Sequence, residues 1–327
     1  MNSNEPTYVG VDIGGTKVAA GLVTPRGQIL SKVRVPMASR EGEAAGLQAV
    51  EKAIDAALDA DPARKSSIAG IGIVSPGPVD PRRGIVVNPV NLPCWRNFPL
   101  VAEIKKSHGL PTVLDNDANA AALAEAIWGA GAGYKSVFYV TIGTGIGTGL
   151  VLDGHIYHGR TGAAVEGGHV SIDYRGEQCG CGKRGCIEVL AAGPAVAKRA
   201  RKRLEAVSKE GAKLRSLVGG NVASVTPEMV AQAWRDGDAL AAAILEETAD
   251  LLAVWLGNMI DLLEPDVIVV GGGMSEVIFR WSARLLEQIP KWSVNSRCGE
   301  IPLVRAKYGE DSGIAGGAAL CLTSPAS

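Results

Sequence analysis

The sequence has no surplus of either charge, few aromatic residues and no long apolar run. Its 33 Lys and Arg residues are balanced by 34 Asp and Glu residues, which leaves a net charge of −1. A chain without a basic surplus is not expected to bind nucleic acid or an anionic lipid surface. No stretch of about 18 residues is free of polar side chains, so we predict no transmembrane helix. The expected partners therefore include neither nucleic acid nor membrane.

The first residues, MNSNEPTY, lack the basic and apolar regions of a secretory signal peptide. We therefore expect a cytoplasmic protein. In that compartment, closely spaced cysteines favour a metal site over a disulfide. The six cysteines are Cys94, Cys179, Cys181, Cys186, Cys298 and Cys321.

Glycine is the residue that the chain has in excess. It accounts for 42 of 327 residues, nearly twice the usual share of about 7%. Glycine permits tight turns and close approach of backbone to a neighbour. We expect both in many places.

Apolar strands alternate with amphipathic helices along the chain, which predicts an α/β fold with mixed sheets. The periodicity predicts helices over residues 44–60, 194–208, 227–235 and 238–263. The polar stretch near 209–224 is predicted to be a loop.

A pattern near the N-terminus recurs in the middle of the chain. TYVGVDIGGTKVAAGLVTPRGQIL aligns with VFYVTIGTGIGTGLVLDGHIY. Each has an apolar strand, a turn rich in Gly and Thr, a second strand, a polar turn and a third strand. We interpret this as an internal duplication.

The Gly-rich turns are candidate phosphate sites. DIGGTK joins two strands, so it fits neither the P-loop nor the Rossmann fingerprint, both of which lead into a helix. Successive backbone amides in such hairpins can bind phosphate oxygens, and Asp12 could hold Mg²⁺. Lys17 either contacts a phosphate or is solvated. The candidate nucleotide residues are Asp12, Gly14, Gly15, Thr16 and Lys17 in the first hairpin, Gly143, Thr144 and Gly145 in the second, and Gly271, Gly272 and Gly273 in a late turn.

Three cysteines lie within eight residues of one another in CGCGKRGC. Cys179, Cys181 and Cys186, together with His169, form a Cys₃His set. Such a closed tetrahedral set is typical of a structural Zn²⁺ site, because a catalytic zinc keeps one position open for water. The alternative is three free thiols.

Asp117 is the candidate catalytic base. It follows a predicted strand and precedes a helix, and such strand ends often carry ligand-binding residues in α/β proteins. Two alternatives remain open on the residues alone: Asp117 could be a helix N-cap, and Asp115 competes by position.

The chain resembles the ROK family of bacterial sugar kinases and related repressors. The motifs that carry the resemblance are DIGGTK, PGPVD, NDANAAALAE, EGGH and CGCGKRGCIE. The resemblance implies a two-domain, actin-like ATPase (ribonuclease H-like) fold with duplicated mixed sheets and a cleft between the domains. It implies a small domain over 1–118, completed by a C-terminal helix at about 308–327, and a large domain over 119–307 that carries the zinc site.

The resemblance also assigns roles to residues. It selects Asp117 over Asp115 as the general base. Zinc would fix one nitrogen of His169 and leave the other for sugar, so that the metal shapes a pocket and makes no bond. The residues that the resemblance assigns to sugar are Gly77, Asn91, Asn116, Asp117, Glu166, His169 and Glu188.

The expected function is transfer of a phosphoryl group from ATP, with Mg²⁺, to the 6-hydroxyl of a hexose, most simply glucose. The alternatives are kinases for N-acetylglucosamine, N-acetylmannosamine, mannose or fructose, and polyphosphate in place of ATP. A sugar-responsive repressor of the same family is a further alternative, but only seven residues precede Tyr8, too few for a DNA-binding domain. Family resemblance implies a homodimer or homotetramer.

Overall fold

The computed structural model describes residues 5–207 and 210–323. Twelve strands lie within these residues, most of them short and separated by turns or helices, as the alternating pattern predicts. The strands are β1 (Thr7–Ile13), β2 (Lys17–Val23), β3 (Ile29–Pro36), β4 (Ile68–Ser75), β5 (Val79–Asp80), β6 (Ile85–Val86), β7 (Thr112–Asn116), β8 (Ser136–Ile142), β9 (Ile146–Leu152), β10 (His155–Ile156), β11 (Val267–Gly271) and β12 (Leu303–Arg305).

The α-helices of the described residues vary in length from about one turn to seven turns. None of them is long and apolar enough to cross a membrane. They are α1 (Glu43–Asp59), α2 (Leu100–His108), α3 (Asp117–Trp128), α4 (Ile187–Ala191), α5 (Gly193–Ala206), α6 (Ala212–Leu217), α7 (Pro227–Arg235), α8 (Ala239–Leu263), α9 (Ser275–Arg280), α10 (Ser282–Gln288) and α11 (Ser312–Thr323).

Two five-stranded sheets have the same strand order. The first runs β3-β2-β1-β4-β7 and the second β10-β9-β8-β11-β12. In the first sheet, β1, β2 and β3 are antiparallel, and β4 and β7 continue parallel to β1. The shared order of strands confirms the duplication predicted from the sequence.

The first sheet is covered on both faces. Val9, Val11 and Ile13 of β1 belong to a buried apolar core that includes α1, while Gly10 faces α11. A Cβ atom on Gly10 would lie 1.9 Å from the Ile314 carbonyl oxygen. Glycine in the strand therefore lets the backbone of α11 pack directly on the sheet.

The described residues form two compact units, and the division passes through β8 and β9. The first unit contains the described residues up to Tyr139, Gly149–Val165 and those from Ala306 onward, and the second contains Val140–Thr148 and Glu166–Arg305. The domain limits predicted from the sequence stay predictions.

The predicted loop near 209–224 is wrong in part, because it contains helix α6. The carboxylate of Asp238 accepts the N–H groups of Lys213 and Leu214, at 3.0 and 3.2 Å. A distant residue thus satisfies the free amides at the start of a short helix. Residue 209 of this stretch lies outside the described residues, as do residue 208 at the end of the predicted helix over 194–208 and residues 324–327 of the predicted C-terminal helix.

Candidate active site

The first hairpin, between β1 and β2, turns in three residues, Gly14, Gly15 and Thr16. The Gly14 amide donates to the Lys17 carbonyl at 2.9 Å and closes the turn. A Cβ atom on Gly15 would lie 2.9 Å from the carbonyl oxygen of Asn91. Glycine is therefore required for the hairpin to approach Asn91, a predicted sugar residue.

Asp12 lies beside this hairpin in a partly buried position. Its pKa is raised to about 6, first because burial disfavours the charged form and then because the Asp117 carboxylate is near; Lys17 acts in the opposite direction. Gly313 leaves room for Asp12, since a Cβ there would lie 2.3 Å from the Asp12 Cγ atom. Two carboxylates that repel each other in this way form an environment suited to a divalent cation.

The turn between β7 and α3 gives its two aspartates different surroundings. Asp115 is buried, and its Oδ1 atom accepts the Asn116 amide at 2.7 Å and the Asn119 Nδ2 atom at 3.1 Å. Asp117 is exposed, and its Oδ1 atom accepts the next amide, that of Ala118, at 2.8 Å. Asp117 is therefore the carboxylate that a ligand can reach.

Asn116, and not Asp117, is the N-cap of α3. Its Oδ1 atom accepts the amides of Ala118 and Asn119 at 2.9 and 3.4 Å. The alternative that Asp117 is the N-cap is therefore wrong. The Nδ2 atom of Asn116 faces Gly77, where a Cβ would lie 3.1 Å away, so these two predicted sugar residues are neighbours.

The second hairpin also turns in three residues, between β8 and β9, and the late Gly-rich turn packs against it. The Met274 amide donates to the Ile142 carbonyl at 2.9 Å. Gly272 has φ of +85°, and a Cβ there would lie 2.4 Å from the same oxygen. At the other side of the hairpin, the amide of Gly193 donates to the Gly143 carbonyl at 2.8 Å.

A cavity of about 820 Å³ opens beside these two turns. Gly143, Thr144 and Gly273 form part of its wall, so the structure brings two predicted nucleotide segments to one cavity. Its other polar lining residues were not predicted from the sequence; they come from α5, from α7 with its N-cap, and from α9. The proline after Thr226 marks a helix start, but no local signal marks a ligand. These missed residues are Arg201, Thr226, Glu228, Arg235 and Glu276.

The Cys₃His set converges on one point. One ligand atom from each of the four residues lies within 4.8 Å of the others. His169 Nδ1 is 3.6 Å from Cys179 Sγ, and Cys181 Sγ is 3.7 Å from Cys186 Sγ. A tetrahedral zinc with Zn–S of about 2.3 Å and Zn–N of about 2.1 Å separates its ligand atoms by about 3.6–3.8 Å. The donor set and spacing therefore fit Zn²⁺.

Glu188 lies between the cysteine segment and the second hairpin. Its Oε2 atom accepts the Ile146 amide at 3.0 Å, and its Oε1 atom is 4.0 Å from His169 Nδ1. A Cβ on Gly145 would lie 2.5 Å from Oε2. The Glu188 carboxylate is thus held so close to the second hairpin that only glycine fits at position 145.

The EGGH segment is fixed by buried partners, and Glu166 at its start is exposed. The Gly167 amide donates to the Thr148 hydroxyl at 2.8 Å, and the Gly167 carbonyl accepts the Trp255 indole N–H at 2.9 Å. The structure therefore places His169 and Glu188 close to each other. Glu166 comes directly before Gly167, whose backbone is held by Thr148 and Trp255.

The fold, two duplicated mixed sheets with helices, is that of the actin-like ATPases. The model of the ROK family matches residues 8–324. The chain belongs to the ROK family.

Three similar proteins show the range of this family. A glucokinase from Thermotoga maritima is 34% identical over 315 residues, which cover 95% of this chain and 96% of the relative. The structure of a ROK family glucokinase from Streptomyces griseus, in complex with glucose and AMPPNP, superposes with a TM-score of 0.81 at 32% identity and covers 97% of this chain and 100% of that one. A ROK family transcriptional regulator, a homolog of the E. coli MLC protein, superposes with a TM-score of 0.86 at 26% identity, over 98% of this chain and 78% of that one.

Proposed function

We propose that the protein is a hexose kinase that transfers the γ-phosphoryl group of ATP to the 6-hydroxyl of glucose. The observation that carries this proposal is the pair Asp12 and Asp117. An exposed carboxylate at the start of α3 lies close to a second carboxylate at a Gly-rich hairpin. A base beside a cation and phosphate site is what phosphoryl transfer to an alcohol requires. The glucokinase relatives support glucose as the acceptor.

Asp117 is the proposed general base. It accepts the proton of the sugar 6-hydroxyl while the oxygen attacks the γ-phosphorus, and ADP leaves with the electrons of the broken P–O bond. Asn116 and Gly77, which are neighbours, and Asn91 beside the first hairpin are proposed to position the sugar hydroxyls. Because the Asn116 Oδ1 atom caps α3, its Nδ2 group is the part assigned to sugar.

The hairpin amides are proposed to bind phosphates, and the cavity beside Gly143 and Gly273 to take the nucleoside. Mg²⁺ held by Asp12 would neutralise charge on the phosphates. Lys17 lies near Asp12 and is a further candidate for phosphate contact. The cavity favours ATP over polyphosphate as the donor, because polyphosphate has no nucleoside to fill it.

Zinc is proposed to be structural. His169 Nδ1 faces the cysteines, which leaves Nε2 for a sugar hydroxyl. Zinc held by the four ligands would then set the orientation of the imidazole ring and so shape the sugar pocket, with Glu166 and Glu188 as further hydroxyl acceptors.

Fold similarity alone does not separate a kinase from a regulator, because both superpose well on this chain. The separating experiment measures ADP release across glucose, mannose, fructose, N-acetylglucosamine and N-acetylmannosamine. Glucose is expected to give the highest kcat/KM, and Asp117→Ala is the matched inactive control. ADP release on none of the sugars, together with salt-sensitive binding to DNA, would favour the regulator. The same assay with polyphosphate as donor is expected to give little product.

A further inference from the structure

Asp115 has a second partner that the proposed mechanism does not use. The His158 Nε2 atom donates to Asp115 Oδ2 at 2.6 Å. The Asp115 side chain is 3% exposed and the His158 side chain 31%. The other oxygen of Asp115 holds Asn116 and Asn119. One buried carboxylate thus connects His158 to the turn that carries Asn116 and Asp117.

His158 also begins the segment that leads directly into Glu166. Its carbonyl oxygen accepts the amides of Gly162 and Ala164, at 3.1 and 3.3 Å. The Arg82 guanidinium donates to the carbonyls of Gly159 and Arg160, both at 3.1 Å. The segment over 158–165 is therefore folded on itself and held at two points, one of which is the Asp115 carboxylate.

A cavity of about 280 Å³ lies beside the pair. Its wall includes Asp115, His158, His155 and Arg82. The imidazole ring of His158 is therefore accessible to small solutes, and Asp115 lines the same cavity although its side chain is almost fully buried. If the ring were removed, the space that it leaves would adjoin an existing opening.

We propose that His158 is a positioning residue of the kinase reaction. It fixes Asp115, and through Asp115 the turn that presents Asn116 and Asp117, and it fixes the segment that leads to Glu166. It touches neither substrate in this scheme. The proposal rests on the proposed function, since the turn and the segment are those assigned to the base and the sugar.

The kinetic test compares His158→Ala, His158→Gln and His155→Ala. His155 lines the same cavity, and its ring bonds only the carbonyl of Asp153 among the described contacts, so it is the matched control. In His158→Ala we expect kcat/KM for sugar to fall on the order of 10- to 100-fold, because small misplacements of reacting groups are costly. The KM for ATP should stay within about twofold of the wild-type value. His158→Gln, which keeps an N–H donor of similar reach, should recover most of the loss.

Imidazole added to His158→Ala should restore part of the activity, because the vacated site adjoins the cavity. A merely structural role would show loss of melting temperature without recovery by Gln or imidazole. That result, or wild-type kcat/KM in His158→Ala, overturns the proposal.

Hydrogen exchange tests the linkage without any enzymatic assay. In His158→Ala, amide exchange should speed up in residues 112–119 and in 158–166, while His155→Ala leaves both unchanged. Unchanged exchange in His158→Ala overturns the linkage. A wild-type protein that phosphorylates no sugar would instead overturn the proposed function, so the two failures are distinguishable.

Discussion

Asp115 and Asp117 are two residues apart, yet one carboxylate is enclosed by three hydrogen-bond partners and the other faces solvent. The strand β7 ends between them, so the chain changes direction and their side chains reach different surroundings. Asp115 accepts from Asn116, Asn119 and His158, which leaves little capacity for a ligand. This difference supports the choice of Asp117 as the base, which the family resemblance alone had made.

Asp117→Asn should reduce kcat by about 10²–10⁴-fold while sugar still binds, because a general base contributes about that factor and the amide keeps the size of the carboxyl group. Stopped-flow or coupled ADP release gives kcat, and calorimetry gives the sugar affinity. The side chain is exposed, so the melting temperature should be unchanged. Wild-type turnover in Asp117→Asn or Asp117→Ala would show that another group takes the proton.

Asp12→Asn should stabilise the protein at neutral pH and impair catalysis. The folded-state pKa of about 6 is above the usual value near 3.8, so between these values the folded state holds a proton that the unfolded state has released. Stability therefore falls as pH rises from about 4 to 6. The raised Asp12 pKa lowers the free energy of unfolding at pH 8 by at most about 3 kcal/mol. We expect Asp12→Asn to increase the free energy of unfolding by about 1–3 kcal/mol at pH 8.

Urea denaturation at pH 4 and pH 8 measures this effect. The two proteins should have similar stability at pH 4 and differ at pH 8, while Mg²⁺-dependent ADP release is lost in the variant. An Asp12→Asn protein less stable than the wild type at pH 8 would mean that the carboxylate is stabilised by its surroundings, contrary to the raised pKa.

Several features of the fold and of the candidate site could be predicted because they depend on residues that are close together in the sequence. The hairpins at Gly14 and Gly143 depend on residues within about ten positions of each other, and the ligands of the Cys₃His cluster all lie between His169 and Cys186. Turn chemistry and ligand spacing are local properties, so the sequence alone predicted them. The duplication was predictable for the same reason, since its two copies have the same order of local signals.

Contacts between distant segments were not predictable. Asp238 caps α6 from 24 or more positions away, and His158 bonds Asp115 across 43 positions. Arg201 and Thr226 line the proposed nucleotide cavity from two different elements. These pairings depend on how helices and strands pack, which hydrophobic periodicity in one sequence does not specify. The missed helix and the missed cavity residues have this one cause.

The Cys₃His cluster should bind one zinc ion per chain. Cys181→Ser should lower the zinc content and raise the KM for sugar more than the KM for ATP, because the ligands fix His169. Chelation should lower the melting temperature, since structural zinc contributes to folding free energy. Cys321→Ser is the matched control, because Cys321 lies outside the cluster and bonds the Gly317 carbonyl weakly, at 3.8 Å. Metal analysis that finds wild-type protein nearly free of zinc would rule out the structural role.

Gly145→Ala should weaken sugar binding through Glu188. The added methyl group would lie 2.5 Å from Glu188 Oε2, so the carboxylate must leave the Ile146 amide that it now accepts. We expect the KM for sugar to rise on the order of tenfold, as one charged hydrogen bond of about 1.5–3 kcal/mol is disturbed. Gly299→Ala is the matched control, because a Cβ there meets nothing within 4 Å.

The double variant Gly145→Ala, Glu188→Asp separates a clash with Glu188 from damage to the second hairpin, the proposed phosphate site. The shorter aspartate relieves the contact, so the two substitutions should be less harmful together than the sum of their separate effects. If the effects of the two single substitutions on the KM for sugar simply add in the double variant, or if only the KM for ATP rises, Gly145 acts on the nucleotide. Its closeness to Glu188 would then have no part in sugar binding.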